Sequence, residues 1–280
     1  MKILIIQLSA IGDIIYTLFN IKALFRCNPG LIIDWLCAKP NSLLAVQPEI
    51  RRVLTLNKDV LPDDYDYILD FGSKSSTIKV KYSNPQAIKI GFQSSKAKSV
   101  KKYIVAFFND FSVFYDHSIS VIENQRKFLT GFFRFNVEGA RPVLTVPVDI
   151  KKQVDLYLTG LPKKPLVILN PNASVAAKEY PLDYWTRTIT EYPADNMILI
   201  GEHFGKKGQQ LAGLRLPEVY ILPSALDNLL AVAYLLSKSR LLISPDTSIL
   251  HLAEFQGIPV QGLFTEKSNL QIKDWGRQKV

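Results

Sequence analysis

Cysteine is scarce in this sequence of 280 residues, which contains only Cys27 and Cys37. Their spacing does not match that of a metal site, and nothing around them indicates a secreted protein. We therefore expect two buried free thiols, and we exclude both a disulfide framework and a function based on cysteine chemistry.

Long hydrophobic runs are also absent. The longest ones, such as 229–236, fall well short of the roughly 18 to 20 apolar residues that cross a bilayer. The apolar N-terminal segment soon reaches Asp13 and lacks a small-residue cleavage site, so it does not fit a signal peptide. We expect a cytoplasmic protein without a transmembrane segment.

Glycine and proline, with 14 and 16 residues, are too few for a fibrous or disordered chain. Hydrophobic residues make up 48% of the sequence and charged residues 21%, which is ordinary for a globular protein. The length predicts two domains of about 130 to 150 residues each.

Acidic residues are missing from Phe71 to Asn109, a segment with eight lysines in a chain whose net charge is +9. Such a field attracts nucleic acid, anionic lipid headgroups or a phosphorylated substrate, and a solvated basic face without a partner is the alternative. No nucleic-acid-binding motif is recognisable, so a membrane surface or an anionic acceptor is favoured. The lysines are Lys74, Lys79, Lys81, Lys89, Lys96, Lys98, Lys101 and Lys102.

Short apolar segments alternate with helical patterns, which predicts an α/β fold with mainly parallel sheets. We place the domain boundary at the turn-rich segment 160–165, so that residues 1–160 and 161–280 each form a doubly wound, Rossmann-like domain. Predicted strands cover 2–8, 31–36, 53–56, 67–70, 87–91, 166–169, 196–200, 219–222, 240–243 and 260–264. Predicted helices cover 14–25, 111–135, 149–158, 182–190, 204–214, 227–236 and 247–255. Ligands of such folds lie outside the carboxyl ends of the strands, so a cleft between two lobes is the expected active site.

The first candidate segment, Ser9-Ala-Ile-Gly-Asp13, follows the first strand and opens the first helix. Asp13 is interpreted either as a helix cap or as a general base, which needs a carboxylate within reach of a hydroxyl nucleophile. Gly12 allows a substrate to approach the backbone closely. The loop lacks the G-x-G-x-x-G pattern of a dinucleotide site.

The second candidate segment covers 169–185 and places a small polar loop after a strand. Its backbone amides and Lys178 are suited to a phosphate, although a single lysine in a loop is more often a solvated surface residue. Pro181 in the first turn of a helix and Trp185 packed behind it are typical of a rigid support.

The third candidate segment covers 241–253, where a strand ends at Asp246 and a helix opens with Thr247 and Ser248. Free amides and hydroxyls at the positive end of a helix dipole form an anion site. His251 lies four residues after Thr247 and so on the same helix face, where it can donate to a phosphate oxygen. Helix capping and an ordinary core histidine are the alternatives.

Together these segments resemble the ADP-heptose:lipopolysaccharide heptosyltransferase family, glycosyltransferase family 9. Residues 5–13 resemble the family's R-L-S-x-L-G-D, residues 178–181 its K-R-W-P, and residues 244–253 its G-x-D-T-G-x-x-H-L-A. Residues 65–70 and 90–92 also resemble its Y-D-x-x-I-D and R-I-G-F segments. The resemblance implies the GT-B fold, in which two Rossmann-like domains face each other across a cleft.

The resemblance further implies inverting, metal-independent transfer of heptose from ADP-heptose to the inner core of lipopolysaccharide or lipooligosaccharide. Asp13 is the implied general base, and Lys178 stabilises the departing diphosphate. The implied donor-binding residues are Asn172, Ser174, Lys178, Glu202, Asp246, Thr247, Ser248 and His251, and the implied acceptor-binding residues are Ser9, Gly12, Lys74 and Arg126. We expect no metal, no cofactor and no nucleic acid, but a monomer in peripheral contact with the inner membrane, where it meets a Kdo-containing lipid A–core acceptor.

Three positions depart from the family pattern. Ser248 stands where glycine is usual, Gln7 replaces an arginine, and Glu202 is the nearest counterpart of the acid that members place on the nucleoside. The alternatives are a different nucleotide sugar on the same fold and a degenerate protein that only binds sugar nucleotides. The degenerate protein is disfavoured by the joint retention of five candidate residues, which are Asp13, Lys178, Asp246, Thr247 and His251.

Overall fold

A computed structural model of the chain describes residues 1–8, 10–72, 74–94, 100–133, 143–201 and 205–265, with the backbone alone at 94 and 100–103. Contacts within the chain divide it into two compact units, Met1–Pro142 and Val143–Val280. Each unit is an open parallel sheet with helices around it.

The first unit contains six strands and five α-helices among its described residues. The strands are β1 (Lys2–Ile6), β2 (Ile32–Cys37), β3 (Arg52–Thr55), β4 (Tyr67–Asp70), β5 (Ile88–Ser94) and β6 (Phe111–Tyr115). The helices are α1 (Ile11–Cys27), α2 (Ser42–Ala45), α3 (Ile78–Tyr82), α4 (Val100–Phe107) and α5 (Val121–Thr130), and a short 3-10 helix covers Ser75–Thr77.

The strand order of the first sheet is β3-β2-β1-β4-β5-β6, and all pairs are parallel. In β1, Ile5 pairs with Trp35 on one side and with Leu69 on the other. Residues 3–6 are fully buried because helices cover both faces of a doubly wound sheet. The order reverses between β1 and β4, which places the expected ligand site of this unit at their carboxyl ends.

The second unit repeats this plan, with five strands in the part of it that the structure describes. These are β7 (Leu166–Leu169), β8 (Asn196–Leu199), β9 (Val219–Ile221), β10 (Leu241–Pro245) and β11 (Val260–Leu263). Its helices are α6 (Val148–Thr159), α7 (Leu182–Thr190), α8 (Lys206–Gly213), α9 (Leu229–Ser237) and α10 (Ser248–Gln256), with a 3-10 helix at Ala176–Lys178. The parallel order is β11-β10-β7-β8-β9, so the reversal lies between β7 and β10.

The division between the units precedes the domain boundary predicted at 160–165, because α6 packs on the second unit. The Tyr234 hydroxyl donates to Asp155 of α6 at 3.0 Å, and the Tyr157 hydroxyl donates to the Ile221 carbonyl at 3.3 Å. Helix α6 therefore lies in the unit that begins at Val143, although the sequence prediction placed it in the first domain.

The helix predicted over 111–135 is wrong. Residues 111–115 form strand β6, which pairs with β5 from Ile90↔Phe111 to Ser94↔Tyr115. The run Phe-Ser-Val-Phe-Tyr is rich in the aromatic and β-branched residues that favour strands. Helix α5 begins only after Ser120, whose side chain accepts a hydrogen bond from the Glu123 amide at 3.2 Å.

The two cysteines are free, as expected, but their burial differs. Cys37 is buried, and burial raises the pKa of its thiol to about 12. Cys27 is exposed at the end of α1, so the expectation that it would be buried is wrong. Among the described residues, no helix combines the length and the apolar character needed to span a membrane.

The lysines of the segment 71–109 are not all solvated on the surface. Lys81 is fully buried and forms an ion pair with the equally buried Asp70, with 2.7 Å between Nζ and Oδ2. It also donates to the Asn109 side chain at 2.6 Å. Lys89 donates to the carbonyls of Pro85 and Ala87 at 3.2 and 2.7 Å. Lys96 and Lys98 lie outside the described residues.

Candidate active site

Asp13 lies at the third position of α1, just beyond the carboxyl end of β1. The N-cap of this helix is Ala10, which has no side-chain cap, so Asp13 is not the N-cap residue. Its carboxylate is half-buried in the first turn, where the positive end of the helix dipole favours a negative charge. The Gly12 backbone precedes it in the same turn, while Ser9 lies outside the described residues.

Lys74, in the segment after β4, lies beside the loop between β1 and α1. Its ammonium group donates to the Leu8 carbonyl at 3.4 Å, and its side chain remains exposed. This contact brings a cation from the carboxyl end of β4 to the loop between β1 and α1. The two predicted residues Asp13 and Lys74 therefore belong to the same strand-end region, at the reversal of the strand order.

A buried polar cluster lies beneath Asp13. The Thr17 hydroxyl donates to the Asp13 carbonyl at 2.9 Å and accepts hydrogen bonds from Gln7 at 3.2 Å and Gln125 at 2.9 Å. One hydrogen and two lone pairs of a hydroxyl are thereby all used. The cluster fixes the first turn of α1 against β1 and α5. Sequence reasoning noted Gln7 only as a departure from the family pattern and missed Thr17 and Gln125.

Tyr115, at the end of β6, lies close enough to Asp13 for the carboxylate charge to change the pKa of the Tyr115 phenol. Burial raises the pKa of the Tyr115 phenol, and the negative charge of Asp13 raises it further. The Tyr115 ring lies 5.0 Å from that of His117 and 5.5 Å from that of Phe92, between ring centroids. Sequence reasoning missed this residue because it placed 111–135 in a helix.

Arg126 lies on α5 with its guanidinium 5.7 Å from the centroid of the Phe19 ring. It also forms a 3.7 Å ion pair with Glu123, one turn earlier on the same helix. Its role toward an acceptor therefore rests on the resemblance alone.

In the second unit, Asn170 connects the ends of the two central strands. Its side-chain amide donates to the Ser244 hydroxyl at 2.9 Å and to the Thr247 hydroxyl at 3.0 Å. Asn170 follows β7, whereas Ser244 belongs to β10 and Thr247 follows it. The contacts cross the point where the strand order reverses, and they fix the entrance to α10.

Asn172 binds the backbone on two sides. Its amide donates to the Gly201 carbonyl at 2.7 Å, and its carbonyl oxygen accepts from the Gly208 amide at 2.9 Å. A Cβ atom at Gly205 would overlap the Asn172 side chain, so any other residue there would force that side chain to shift. Ser174 is exposed on the same loop. Glu202, predicted to bind the donor, lies outside the described residues.

Lys178 and Asp246 form an ion pair with 2.8 Å between Nζ and Oδ2. The Asp246 side chain is 4% exposed and that of Lys178 is 21% exposed. The second carboxylate oxygen of Asp246 lies 3.6 Å from His251 Nε2, and His251 Nδ1 lies 3.4 Å from Glu254. The structure thus brings the predicted residues Lys178, Asp246 and His251 together. It also adds Glu254, which sequence reasoning missed and which its spacing of three residues from His251 could have indicated.

The N-terminus of α10 lies next to this ion pair. Thr247 occupies the N-cap position in an extended conformation, but its side chain makes no cap hydrogen bond because its hydroxyl contacts Asn170 and Ser244. Ser248 is the first helical residue and is half-buried. Backbone amides at a helix start, next to a lysine and a histidine, form an arrangement suited to a phosphate-type anion.

The segment that carries Lys178 is anchored from both sides. The Tyr180 hydroxyl donates to the Phe264 carbonyl at 3.2 Å, and the Thr265 hydroxyl donates to the Ala177 carbonyl at 3.1 Å. Trp185 of α7 is fully buried in the core of this unit, as expected of a rigid support.

The chain is similar to known proteins in sequence pattern and in fold. The model of the family "Glycosyltransferase family 9 (heptosyltransferase)" matches residues 53–280. No curated protein matches the chain. Among solved structures, a glycosyl transferase family 9 protein from Veillonella parvula has a TM-score of 0.75 at 14% identity, over 93% of this chain and 79% of its own.

Two Escherichia coli structures are similar over the whole length of this chain. Heptosyltransferase WaaC with ADP has a TM-score of 0.73 at 17% identity and is covered over 94% of its own length. ADP-heptose lps heptosyltransferase II has a TM-score of 0.74 at 16% identity and is covered over 90%. These likenesses confirm the GT-B fold class with its two Rossmann-like units, and the cleft between the lobes stays a prediction. The family match covers most of the sequence, and the chain therefore belongs to glycosyltransferase family 9, the heptosyltransferases.

Proposed function

We propose that this glycosyltransferase moves a heptose from ADP-heptose to a hydroxyl of the inner core of lipopolysaccharide or lipooligosaccharide, with inversion at the anomeric carbon and without a metal ion. Family membership supports the reaction class. The choice of donor is supported by two similar structures, one holding ADP and one named for ADP-heptose.

The observation that carries the proposal is the ion pair of Lys178 and Asp246 beside the start of α10. When the bond between the heptose and the diphosphate breaks, its electron pair leaves with the diphosphate. In this proposal Lys178, the first amides of α10 and His251 stabilise that growing negative charge. They supply the positive charge that a metal ion provides in other transferases.

Asp13 takes the acceptor proton in this proposal. The acceptor hydroxyl attacks the anomeric carbon from the face opposite the diphosphate while its proton passes to the Asp13 carboxylate. The new glycosidic bond forms as the bond to the diphosphate breaks, which inverts the anomeric configuration. Thr17 holds the Asp13 backbone, so the carboxylate is positioned before the acceptor binds.

Lys74 and Gly12 are proposed to contact the acceptor, whose Kdo and phosphate groups are anionic. Lys74 is exposed at the Asp13 loop, and Gly12 offers close access to the backbone. Ser9 and Arg126 are proposed in the same role on the family resemblance, as are Ser174 and Glu202 for the donor. We also propose that the enzyme acts as a monomer at the cytoplasmic face of the inner membrane.

The direct test incubates the purified protein with ADP-heptose and a set of truncated Kdo-containing core acceptors, with a chelator present, and measures product mass. The expected result is one added heptose on one acceptor. No addition to any acceptor, by a folded protein that binds ADP, would exclude this donor and acceptor pair and point to another nucleotide sugar. Loss of ADP binding as well would favour a degenerate protein.

A further inference from the structure

Large hydrophobic side chains are unusually exposed in one part of the first unit, along and beside β6. We call this surface the aromatic edge, and it consists of Ile104, Phe107, Phe111, Phe114 and Phe132. Phe107 is 84% exposed and Phe114 is 65% exposed. Single exposed apolar residues are common on proteins, but several neighbouring ones mark an interaction surface.

The aromatic edge lies where the sheet ends. Strand β6 is the last strand in the order β3-β2-β1-β4-β5-β6, and within the described ranges no strand pairs with its outer side. Phe111 contacts Phe132, which follows the end of α5, with 5.5 Å between ring centroids, and Phe107 contacts its neighbour Phe108 at 5.7 Å. Phe111 and Phe132 thus pack together beside the last strand of the sheet, and Phe114 lies on that same strand.

The strand that carries these rings also leads to the proposed base. Phe111 begins β6 and Tyr115 ends it, and the Asp13 charge acts on the Tyr115 phenol. Four residue steps of a strand span about 13 Å. Phe111 at the start of β6 therefore lies about 13 Å along the strand from Tyr115 at its end.

We infer that the aromatic edge docks on an anionic lipid bilayer and so brings a membrane-held acceptor to Asp13. This inference rests on the proposed function, because its acceptor is anchored in a membrane. Aromatic rings prefer the interfacial zone of a bilayer, and neighbouring lysines bind anionic headgroups. Helix α4, which ends at Phe107, carries Lys101 and Lys102 in its sequence, and exposed Lys127 lies on α5.

Charge favours a lipid surface over a second copy of this chain. The segment from Phe71 to Asn109, which includes α4, contains no acidic residue, and the whole chain has a net charge of +9. Two copies joined at this surface would bring together two chains that each carry a net charge of +9, which opposes association. An anionic bilayer attracts the same charges and accepts the aromatic side chains at once.

The test compares the parent protein with the double variant Phe107→Ser/Phe114→Ser, since both side chains are too exposed to contribute much to the core. The matched control is Val60→Ser/Leu156→Ser, which removes two exposed apolar side chains elsewhere. Binding is measured by co-sedimentation with vesicles of phosphatidylethanolamine and phosphatidylglycerol, and with phosphatidylcholine vesicles for comparison. Thermal melts check that all variants are folded.

We expect the parent and the control to bind the anionic vesicles. We expect the double variant to bind the same vesicles about tenfold more weakly, or more weakly still. Transfer to a soluble, delipidated core acceptor stays unchanged, whereas transfer to an acceptor embedded in vesicles falls. Equal vesicle binding by the parent and the double variant overturns the inference, as does a parent dimer that the double variant abolishes. If the parent binds vesicles but transfers sugar to no acceptor, that result contradicts the proposed function instead.

Discussion

Lys178 and Asp246 are 2.8 Å apart, although 68 residues of chain separate them. They meet because the strands that precede them, β7 and β10, are neighbours in the sheet at the point where its order reverses. The carboxylate holds the lysine beside the start of α10 before any substrate binds. The positive charge that the proposed reaction needs is therefore in position in advance.

Replacing Lys178 with alanine removes this charge. We expect kcat to fall by about 100-fold and ADP binding to weaken by about tenfold, because the leaving diphosphate loses a charged partner. Steady-state kinetics and calorimetry measure the two effects. Lys163→Ala, which removes an exposed lysine of the same unit, is the control and leaves both unchanged. Unaltered kinetics in Lys178→Ala would remove this residue from the site.

Replacing Thr17 with valine leaves two buried amide donors, Gln7 and Gln125, without their shared acceptor. We expect the free energy of unfolding to fall by about 1 to 3 kcal/mol, measured by urea denaturation. Thr17→Ser keeps the hydroxyl and retains most of the stability. A valine variant as stable as the parent would show that the cluster does not hold the first turn of α1.

Asp34 makes a pH-dependent contribution to stability. Burial raises the pKa of its carboxyl, but hydrogen bonds from Arg51 and Tyr65 outweigh burial, so the folded pKa lies below the usual value. A lowered folded pKa stabilises the protein above the unfolded pKa, and this gain is lost as the pH falls through the folded pKa.

The variant Asp34→Asn is therefore expected to be less stable than the parent at neutral pH, and the difference narrows as the pH falls toward the folded pKa of Asp34. Urea denaturation at a series of pH values measures this, with the exposed Asp63→Asn as the control. A difference that grows toward acid pH would contradict the assignment.

Gly205 and Gly213 form a matched pair for testing the packing around Asn172. A Cβ atom at Gly205 would overlap the Asn172 side chain, whereas one at Gly213 meets no atom within 4 Å. We expect Gly205→Ala to lower the free energy of unfolding by about 1 to 3 kcal/mol and Gly213→Ala to be tolerated. Equal stabilities of the two variants would show that the Asn172 contact is not rigid.

Most strands were predictable from the sequence, because buried parallel strands are short runs of β-branched and apolar residues between polar turns. The segments 67–70 and 166–169 agree with β4 and β7 residue for residue. Strand β6 was missed because Phe-Ser-Val-Phe-Tyr has no clear period and precedes a true helix.

The candidate site, like the fold, was predictable from the sequence only in part. Local motifs placed Asp13 and the Asp246–His251 segment at strand ends, since a turn between a strand and a helix can be recognised in a sequence. The partners Gln125, Tyr115 and Asn170 come from distant parts of the chain, and only the order of the strands brings them there. The spacing of residues within a single segment does not indicate such a contact.

Asp13→Asn tests the central claim most directly, because it removes the proposed base and keeps the size of the side chain. Product mass is followed over time for the parent and the variant, with ADP-heptose and the acceptor that the parent uses. We predict that transfer falls by about 100-fold to 10,000-fold in the variant while its affinity for ADP stays that of the parent. Transfer at the parental rate by Asp13→Asn would contradict the account.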